Sequence, residues 1–248
     1  MKQTKKAVSL LLVLVLLLGA LSAGSVCFAA ARGQCGPEMY WVLDDNGLLT
    51  ISGKGRMTDA STWKNCASAI RTVKFSCVPE NIGAGSFEHC VNLKTIAIPD
   101  GVKTIGIQAF VGCTALESVD LPASVETIGS KAFGGCSALK SVTIPEKVKE
   151  LSPYLFENCA ALTSVTLPQG LSEIGFAVFR GCTALKDVYF GGTRAQWNAV
   201  QTEDDNAPLA AATVHCTDDN QVKRPIIGRI VAAIRRFFER ILSLFTRR

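Results

Sequence analysis

The stretch IGSKAFGGCSALKSVTIPEKVKE, residues 128–150, is one of five near-copies of a 23-residue unit. Three residue types each recur at that interval in a column of their own: Phe87, Phe110, Phe133, Phe156 and Phe179; Cys90, Cys113, Cys136, Cys159 and Cys182; Leu93, Leu116, Leu139, Leu162 and Leu185. A fixed period between about 20 and 50 residues is typical of a solenoid or array. A degenerate sixth unit precedes the five, since Ile70, Val73 and Phe75 lie 23 residues before Leu93, Ile96 and Ile98.

Within each unit, the spacing Leu139-x-x-Val142-x-Ile144 is that of a leucine-rich repeat. Its apolar positions alternate with polar ones, which predicts a short strand with one buried face, and the proline that follows ends the strand. Gly129, or Ser152-Pro153 in the next copy, predicts a tight turn or a short helix. The predicted fold class is therefore a repeat solenoid, a right-handed coil with a ribbon of parallel strands and short helical turns.

A single coil cannot be stable alone. It offers about six apolar side chains, whose burial stabilises the fold by roughly 1.5–3 kcal/mol each, whereas ordering each backbone residue costs about 1–2 kcal/mol. The coils must therefore stack, so that neighbours cover the inward side chains of each one. We predict six stacked parallel strands, about 4.8 Å apart, with the phenylalanine rings in one file.

Stacking also places the five repeat cysteines in a line. Their parallel side chains fit a disulfide poorly, and their spacing lacks the close pairs of a zinc site, so we predict small buried apolar residues. Four more cysteines, Cys35, Cys66, Cys77 and Cys216, can pair in a secreted chain, in three possible connectivities. Alternatively, Cys66 is the first member of the column, displaced by one residue.

Different patterns flank the repeats and divide the chain into segments. Residues 1–31 combine three lysines, an apolar run and Ala29-x-Ala31, which is typical of a cleaved secretory signal peptide; the alternative is an uncleaved membrane anchor. Residues 32–63 are predicted to form a β module that caps the front, with a hairpin turning at Asp45-Asn46-Gly47. In that hairpin, Trp41 and Leu43 are expected to face Leu49 and Ile51. Residues 64–191 form the solenoid, and residues 192–220 form a C-terminal cap, in which we expect Trp197 and Val200 to cover the last coil.

The last segment, residues 221–248, is predicted to be a basic amphipathic helix. From residue 223 onward it holds eight lysine and arginine residues against one acid, Glu239, a net charge of +7. Apolar residues recur at helical spacing opposite the arginines, a pattern typical of a helix lying on an anionic membrane surface. The residues expected to contact the membrane are Arg229, Arg235, Arg236, Phe237, Phe238, Arg240 and Phe245. Alternatively, the helix docks on the end of the solenoid and covers an apolar edge.

The rest of the mature chain argues against nucleic-acid binding and against catalysis. Residues 32–222 hold 15 basic and 20 acidic side chains and show no basic stripe. The only two histidines each precede a cysteine, in His89-Cys90 and His215-Cys216, but adjacent residues rarely face each other as a nucleophile and base must. No set of base, nucleophile and orienting group can be assembled, and nucleotide-binding motifs are missing. We therefore predict a protein without enzymatic activity, cofactor or metal.

The outward strand positions are the predicted binding face, because solenoids bind partners on such extended surfaces. They form two columns: Thr72, Thr95, Ser118, Ser141, Ser164 and Asp187; Lys74, Ala97, Asp120, Thr143, Thr166 and Tyr189. The residues predicted to contact a partner are Lys74, Asp120, Thr143, Thr166, Asp187 and Tyr189. Most of these side chains are small, so the alternative is a merely solvated sheet, kept polar against edge pairing.

Three stretches together resemble the bacterial surface leucine-rich repeat proteins of the BspA-like type. They are the repeat at residues 128–150, the β module at residues 35–57, and a closing segment at residues 188–200 and 212–216. The resemblance implies secretion or surface display and adhesion to proteins or host surfaces, and it supplies no catalytic residues. The fourth unit departs from the pattern at Leu151-Ser152-Pro153, and the basic tail is not part of it. We expect a secreted or cell-surface protein that binds a protein or glycan through its strand face; the alternative is a protein that acts at membranes through its tail.

Overall fold

The structure is a computed structural model that describes residues 31–58 and 62–219. The predicted signal segment, except Ala31, and the predicted basic tail lie outside the described residues. The strands are β1 Ala31–Gly36, β2 Met39–Leu43, β3 Leu48–Gly53, β4 Thr72–Phe75, β5 Asn81–Ile82, β6 Thr95–Ala97, β7 Thr104–Ile105, β8 Ser118–Asp120, β9 Thr127–Ile128, β10 Ser141–Thr143, β11 Glu150–Leu151, β12 Ser164–Leu167, β13 Glu173–Ile174, β14 Asp187–Phe190, β15 Gln201–Thr202 and β16 Thr213–His215. The helices are a 3-10 helix η1 Lys64–Ala69 and two short α-helices, α1 Arg194–Trp197 and α2 Ala207–Ala211.

The N-terminal module contains the predicted hairpin. Trp41 pairs with Ile51 and Leu43 with Leu49 across β2 and β3, and all four side chains are buried. Gly47 closes the turn with φ of 82°, a left-handed conformation that costs glycine little. An additional strand, β1, pairs antiparallel with β2 and was not predicted. Its Gly33 lies under the Trp41 indole, where a Cβ atom would come within 2.7 Å of Nε1. A glycine is therefore needed at this position for the ring to fit. Because glycine is uncommon in strands, it also explains why β1 was not predicted.

The main ribbon consists of β4, β6, β8, β10, β12, β14 and β16. Its strands run parallel, and paired residues lie 23 apart in the repeats, as in Ser141 with Ser164 and Ser164 with Asp187, but 26 apart between β14 and β16. The prediction of stacked parallel strands is therefore confirmed, with β16 as one more member. At the front, β3 pairs parallel with β4, so the N-terminal sheet continues directly into the ribbon.

A second set of strands, which was not predicted, lies on another side of each coil. Pairs such as Ile82 with Ile105 and Ile105 with Ile128 form parallel ladders of two residues per strand. The glycine after each isoleucine allows this close approach, because a Cβ atom at Gly129 would lie 2.5 Å from the nitrogen of Ile107. The tight turn expected at Gly129 follows directly, at residues 130–135. Two residues are too few to show strand alternation in a sequence, which explains why these strands were not predicted.

The expected short helical piece around each phenylalanine is wrong, since these residues form turns. Alternate backbone N–H groups of these turns bond to the next coil, as in Phe110 N to Ala132 O at 2.8 Å and Phe133 N to Leu155 O at 3.0 Å, while those between them bond within their own coil. Lys131 and Gly135 take positive φ angles of 57° and 74° in one such turn, which a right-handed helix forbids. The coils are thus joined by hydrogen bonds on this side too.

The core is a file of aromatic rings. Phe87, Phe110, Phe133, Phe156 and Phe179 stack with centroid separations of 5.1, 5.2, 5.7 and 5.9 Å, as predicted. Trp63 extends the file at 5.7 Å from Phe87, and Trp41 of the β module contacts Trp63 at 5.7 Å. The module and the solenoid therefore share one core.

The cysteine column is buried as predicted, and its thiols also donate hydrogen bonds. Cys136 Sγ lies 3.2 Å from the carbonyl oxygen of Phe110, and Cys159 Sγ lies 3.1 Å from that of Phe133. Each thiol therefore binds the preceding coil. Burial raises the pKa of Cys182 to about 12 and those of Cys136 and Cys159 well above the ordinary value.

Outside the column, Cys35, Cys77 and Cys216 are free thiols, so no disulfide joins any two of them. Cys66 lies in η1, where its N–H donates to Trp63 O at 2.8 Å just as that of Cys90 donates to Phe87 O at 3.2 Å. Cys66 is, however, disulfide-bonded and half-buried, unlike the buried free thiols of the column. Its likeness to a displaced first member of the column is therefore limited to the turn, which has one extra residue before Ile70.

A buried asparagine closes each end of the stack. Asn81 exchanges hydrogen bonds with the Met57 backbone at 3.0 and 3.1 Å. Asn206 accepts from Phe179 N at 3.0 Å and donates to Gly175 O at 2.9 Å. Each amide satisfies backbone groups that would otherwise bond to a further coil. At the C-terminal end, Trp197 and Val200 pack against the core as expected.

The aromatic file predicts that its central ring is essential for stability. Phe133→Ala leaves a cavity between two rings and should lower the free energy of unfolding by about 3–5 kcal/mol, measured by chemical denaturation. Thr143→Ala, at an exposed position, is the control and should change stability by no more than about 0.5 kcal/mol. Equal effects of the two substitutions would contradict the file as the stabilising core.

The thiol burial predicts protection from alkylation. In the native protein, Cys136 and Cys159 should remain unmodified by iodoacetamide, because they are buried and their raised pKa values suppress the reactive thiolate. Half-buried Cys77 should react faster, and all should react in denaturant, as peptide mass spectrometry would show. Modification of Cys136 as fast as Cys77 in the native protein would refute the packing.

Candidate functional site: the strand face

The strand face is the outward side of the main ribbon, and the structure brings all six predicted contact residues to it. Apolar residues such as Val142, Val165 and Val188 point inward and are buried, so their neighbours along the strand point outward. Lys74, Asp120 and Thr143 are exposed, and Thr166, Asp187 and Tyr189 are half-buried. The six residues are spread along the ribbon rather than gathered in one pocket.

The middle of the strand face is flat and small. Adjacent coils pair Ala97 with Asp120 and Thr143 with Thr166, so the surface there consists of short, mostly hydroxyl-bearing side chains. Such residues provide hydrogen bonds but little buried area, and binding hot spots favour Trp, Tyr and Arg instead. The centre of the face is therefore suited to weak contacts.

The C-terminal end of the strand face carries a compact polar and aromatic cluster. Tyr189 stacks on His215 with centroids 4.8 Å apart and planes 16° apart, and His215 Nε2 lies 2.7 Å from Asp187 Oδ1. Burial, and then the Asp187 carboxylate, raise the pKa of Tyr189 above its ordinary value. Tyr189 and Asp187 were predicted from the sequence.

His215 is a member of this face that sequence reasoning missed. It pairs with Tyr189 across β14 and β16 but lies 26 residues after it rather than 23. Because of this irregular spacing, His215 does not fall in a repeat column. In the sequence it was considered only together with its neighbour Cys216, as a possible base beside a nucleophile. The alternation of Thr213, Val214 and His215 was the signal that could have placed it on the outward side.

The N-terminal end of the strand face extends onto the β module. Tyr40 and Val42 of β2 are 52% and 47% exposed, and Val42 pairs with Thr50, which pairs with Lys74. The predicted residue Lys74 thus lies between the module and the repeats. From β2 to β16 the face crosses nine strands, a length of roughly 38 Å, with apolar or aromatic side chains at both ends.

The two histidine–cysteine pairs do not have the geometry of a nucleophile and base. Cys90 is buried while His89 is exposed, and His215 is engaged with Asp187 rather than with Cys216. A hydrogen bond with Cys113, together with burial, raises the pKa of Cys90, and burial raises that of Cys216. Raised pKa values disfavour the thiolate that such chemistry needs.

Residues 31–58 and 62–219 contain neither a cluster of metal ligands nor a membrane-spanning helix. Within them, no three or more His, Cys, Asp or Glu side chains come together as metal ligands. The same residues include no helix that is long and apolar enough to cross a membrane. The membrane-contact residues predicted between Arg229 and Phe245 lie outside the described part of the chain.

Three solved structures are similar to this chain. A leucine-rich repeat protein from Eubacterium ventriosum is 22% identical, with a TM-score of 0.57 over 72% of this chain and 45% of that one. A T. pallidum leucine-rich repeat protein is 26% identical, with a TM-score of 0.50 over 65% of this chain and 83% of that one. A leucine-rich cell surface protein from Faecalibacterium prausnitzii is 24% identical, with a TM-score of 0.49 over 68% of this chain and 42% of that one. This chain therefore spans less than half the length of the first and third of these proteins.

A comparison with curated proteins finds no match. The family model of the BspA-type leucine-rich repeat region matches six copies over residues 59–199. These residues include the five regular units, the degenerate first unit and the start of the C-terminal cap, so the match covers more than half of the chain. The chain belongs to the BspA-type leucine-rich repeat family.

Proposed function

We propose that the protein is a secreted or cell-surface interaction scaffold that binds an extracellular protein or glycan along its strand face. The single observation that carries this proposal is that the outward side of the ribbon has large apolar or aromatic side chains at both ends, Tyr40 with Val42 and Tyr189 with His215. Large exposed apolar side chains on an otherwise polar sheet face are typical of interaction sites. Membership of a leucine-rich repeat family, whose solenoids present extended binding surfaces, supports the same function.

The two ends of the strand face have different chemistry and would contact different parts of a partner. Tyr40 and Val42, near Lys74, form an apolar and basic end, whereas Asp187, Tyr189 and His215 form an aromatic and acidic end. Because the side chains between them are small, a partner gains most from touching both ends. An extended chain or a broad flat surface meets this requirement, and each single end binds weakly on its own.

The secreted location is proposed from the N-terminal sequence and the family. Residues 1–31 have the pattern of a secretory signal peptide. A solenoid placed outside the cell presents the strand face to proteins and glycans there.

The proposal predicts that substitutions on the strand face weaken partner capture. Tyr189→Ala, at the acidic end, should reduce the affinity for the best hit on an array of extracellular proteins and glycans by roughly tenfold, as expected for an interface hot spot. Asp120→Lys, a charge reversal in the middle of the face, should reduce that affinity by a smaller factor. Binding would be measured by surface plasmon resonance. Lys149→Ala, an exposed residue just before β11 and away from the main ribbon, is the control and should bind normally. Unchanged affinity of both strand-face variants, with the fold intact by circular dichroism, would move the site elsewhere.

A second candidate function rests on the charge of the C-terminal segment. Its net charge of +7 after residue 222, with phenylalanines and isoleucines at helical spacing, supports binding to an anionic membrane surface. In this proposal the tail, through residues such as Arg235, Arg236 and Phe237, anchors the solenoid to the membrane.

Removal of residues 225–248 should therefore abolish sedimentation of the protein with vesicles that contain phosphatidylserine. The charge reversal Arg235→Glu with Arg236→Glu in the full chain should weaken it strongly, because each basic residue contributes about 1 kcal/mol near an anionic surface. Vesicles of phosphatidylcholine alone are the control and should bind little protein. Sedimentation that survives the deletion would rule out the tail as the membrane-binding element.

A further inference from the structure

A cleft on the turn side of the coils is built from residues that break the repeat pattern. It has a volume of about 410 Å³ and is lined by Ile107, Gln108, Lys131, Tyr154, Glu157 and Arg180. These residues belong to the turns that contain the phenylalanines, so the cleft faces a different side of the solenoid from the strand face. The fourth unit, whose Ser152-Pro153 departs from the usual glycine, contributes Tyr154 and Glu157 at its centre.

A buried carboxylate organises the cleft. Glu157 is only 5% exposed, and its Oε2 lies 3.0 Å from Lys131 Nζ of the preceding coil. Arg180 of the following coil donates to Oε1 through Nε at 3.1 Å and also through Nη2. Burial raises the Glu157 pKa, but the hydrogen bonds from Arg180 and Lys131 outweigh it and hold the pKa below its usual range. The carboxylate is therefore ionised and fixes two cations on either side of it.

Both cations keep hydrogen-bond donors that are not used within the described protein. Lys131 uses one of its three N–H groups on Glu157. Arg180 uses three of its five, two on Glu157 and one, from Nη1, on Asp205 at 3.0 Å. Both oxygens of Glu157 are occupied by these donors. The hydrogen-bonding groups of the cleft that remain unused are therefore N–H donors of Lys131 and Arg180. Because both side chains are cations, these donors are suited to an anionic acceptor.

The charge balance points the same way. Lys131 and Arg180 bring two positive charges to the cleft and Glu157 brings one negative charge. Asp205 also pairs with Arg180 but does not line the cleft. The side chains of Lys131, Arg180 and Asp205 are 41%, 44% and 40% exposed, so solvent weakens the fields of all three alike. The cleft lining itself carries one net positive charge, which complements a carboxylate.

Apolar surface lies next to the cations. Ile107 is 56% exposed, and Tyr154 lines the same cleft. The Arg180 guanidinium covers one face of the Tyr154 ring at 5.3 Å, and Phe176 packs against the ring at 5.5 Å and 77°. Since the ring is enclosed in this way, it offers little open face for a sugar to stack on, whereas the aliphatic Ile107 is suited to an apolar side chain.

The long side chains of the cleft are held in a conformation that favours glycine. Gln108, Lys131 and Tyr154 have φ angles of 56°, 57° and 61°, at the position that Gly85 occupies in the first regular coil. The left-handed conformation is strained for residues with a Cβ atom. Ala177 has a φ of 55° at the same position of the next coil, so the conformation belongs to the repeat rather than to the cleft. In three coils this position supplies the amide, the cation and the ring of the cleft.

We propose that this cleft binds an acidic peptide segment of a partner protein, independently of the strand face. A glutamate or aspartate carboxylate of the segment accepts hydrogen bonds from Lys131 and Arg180, and a neighbouring apolar side chain packs on Ile107. Arg and Tyr are the residue types that dominate binding energies at interfaces. The rigid pairing with Glu157 lowers the entropy that the cations lose on binding.

The test uses the full chain and a short, blocked peptide of alternating glutamate and leucine, followed by nuclear magnetic resonance. Peptide at millimolar concentration should shift the backbone amide signals of Lys131 and Tyr154 and the Nε–H signal of Arg180. Site-resolved signals separate this binding from contacts of the basic tail. The matching peptide of glutamine and leucine should leave these signals in place, because it lacks the charge.

Lys131→Gly is the informative variant, since it removes one cation and relieves the left-handed strain, as Gly85 does in the first coil. This substitution should lower the affinity for the glutamate peptide by roughly tenfold and leave the thermal stability of the protein nearly unchanged or higher. Lys140→Gln is the matched control, because Lys140 also bridges two coils, to Glu117 at 2.5 Å, but lies outside the cleft.

Three results would overturn the proposal. One is the absence of shifts at Lys131, Tyr154 and Arg180 with the glutamate peptide. Another is an equal response to the glutamine peptide, and the third is equal weakening by Lys140→Gln. A fourth result, stronger shifts with oligomers of glucuronic acid than with the peptide, would also overturn it, because the ligand of the cleft would then be an acidic glycan rather than a peptide. None of these results bears on Tyr189 or Asp120, so the strand-face proposal is tested separately.

Discussion

The packing of each coil against the next, at positions 23 residues apart, is the constraint on which the whole structure depends. Phenylalanine rings stack face to face, and alternate turn N–H groups bond to carbonyl oxygens of the neighbouring coil. The cysteine thiols add a third contact of the same kind. Because all three link neighbours, no coil holds its own shape alone, and the first and last coils need replacements for a missing neighbour. Trp63 with Trp41 provides them at one end, and Asn206 with Trp197 at the other.

This constraint also decides where function can reside. Inward positions are committed to the stack, so only the outward side chains of strands and turns are free to differ between coils. On the strand face the differences are modest in the middle and concentrated at the two ends, Tyr40 with Val42 and Tyr189 with His215. On the turn side they are concentrated in the middle, where Lys131, Glu157 and Arg180 come from three successive coils. Each surface therefore depends on several coils in register and would be lost if the stack slipped by one residue.

The two surfaces rely on different physics. The strand face is long, flat and open, so its binding energy must come from many small contacts and from reaching both ends at once. The turn cleft is compact, and its cations are already held by a buried carboxylate, so less freedom is lost on binding. Membership of a leucine-rich repeat family explains the coil that both surfaces share. It does not explain the residues that differ from the repeat, and those are the ones that give each surface its chemistry.

The sequence by itself determined the period, the parallel ribbon, the phenylalanine file and the buried cysteines, because each of these follows from a residue type recurring at a fixed interval. The residues Asp187 and Tyr189 of the strand face followed for the same reason. The hairpin that brings Trp41 and Leu43 to Leu49 and Ile51 followed from alternation on both sides of a turn, but the pairs themselves came from the structure. Only the tertiary structure revealed the second ladder, strand β1, His215 and the turn cleft. Ladder pairs such as Ile105 with Ile128 are too short to alternate, Gly33 carries no strand signal, and His215 falls out of register. The cleft exists because Lys131, Glu157 and Arg180, unlike one another in sequence, are brought within hydrogen-bonding distance by stacking, a contact that no single repeat contains.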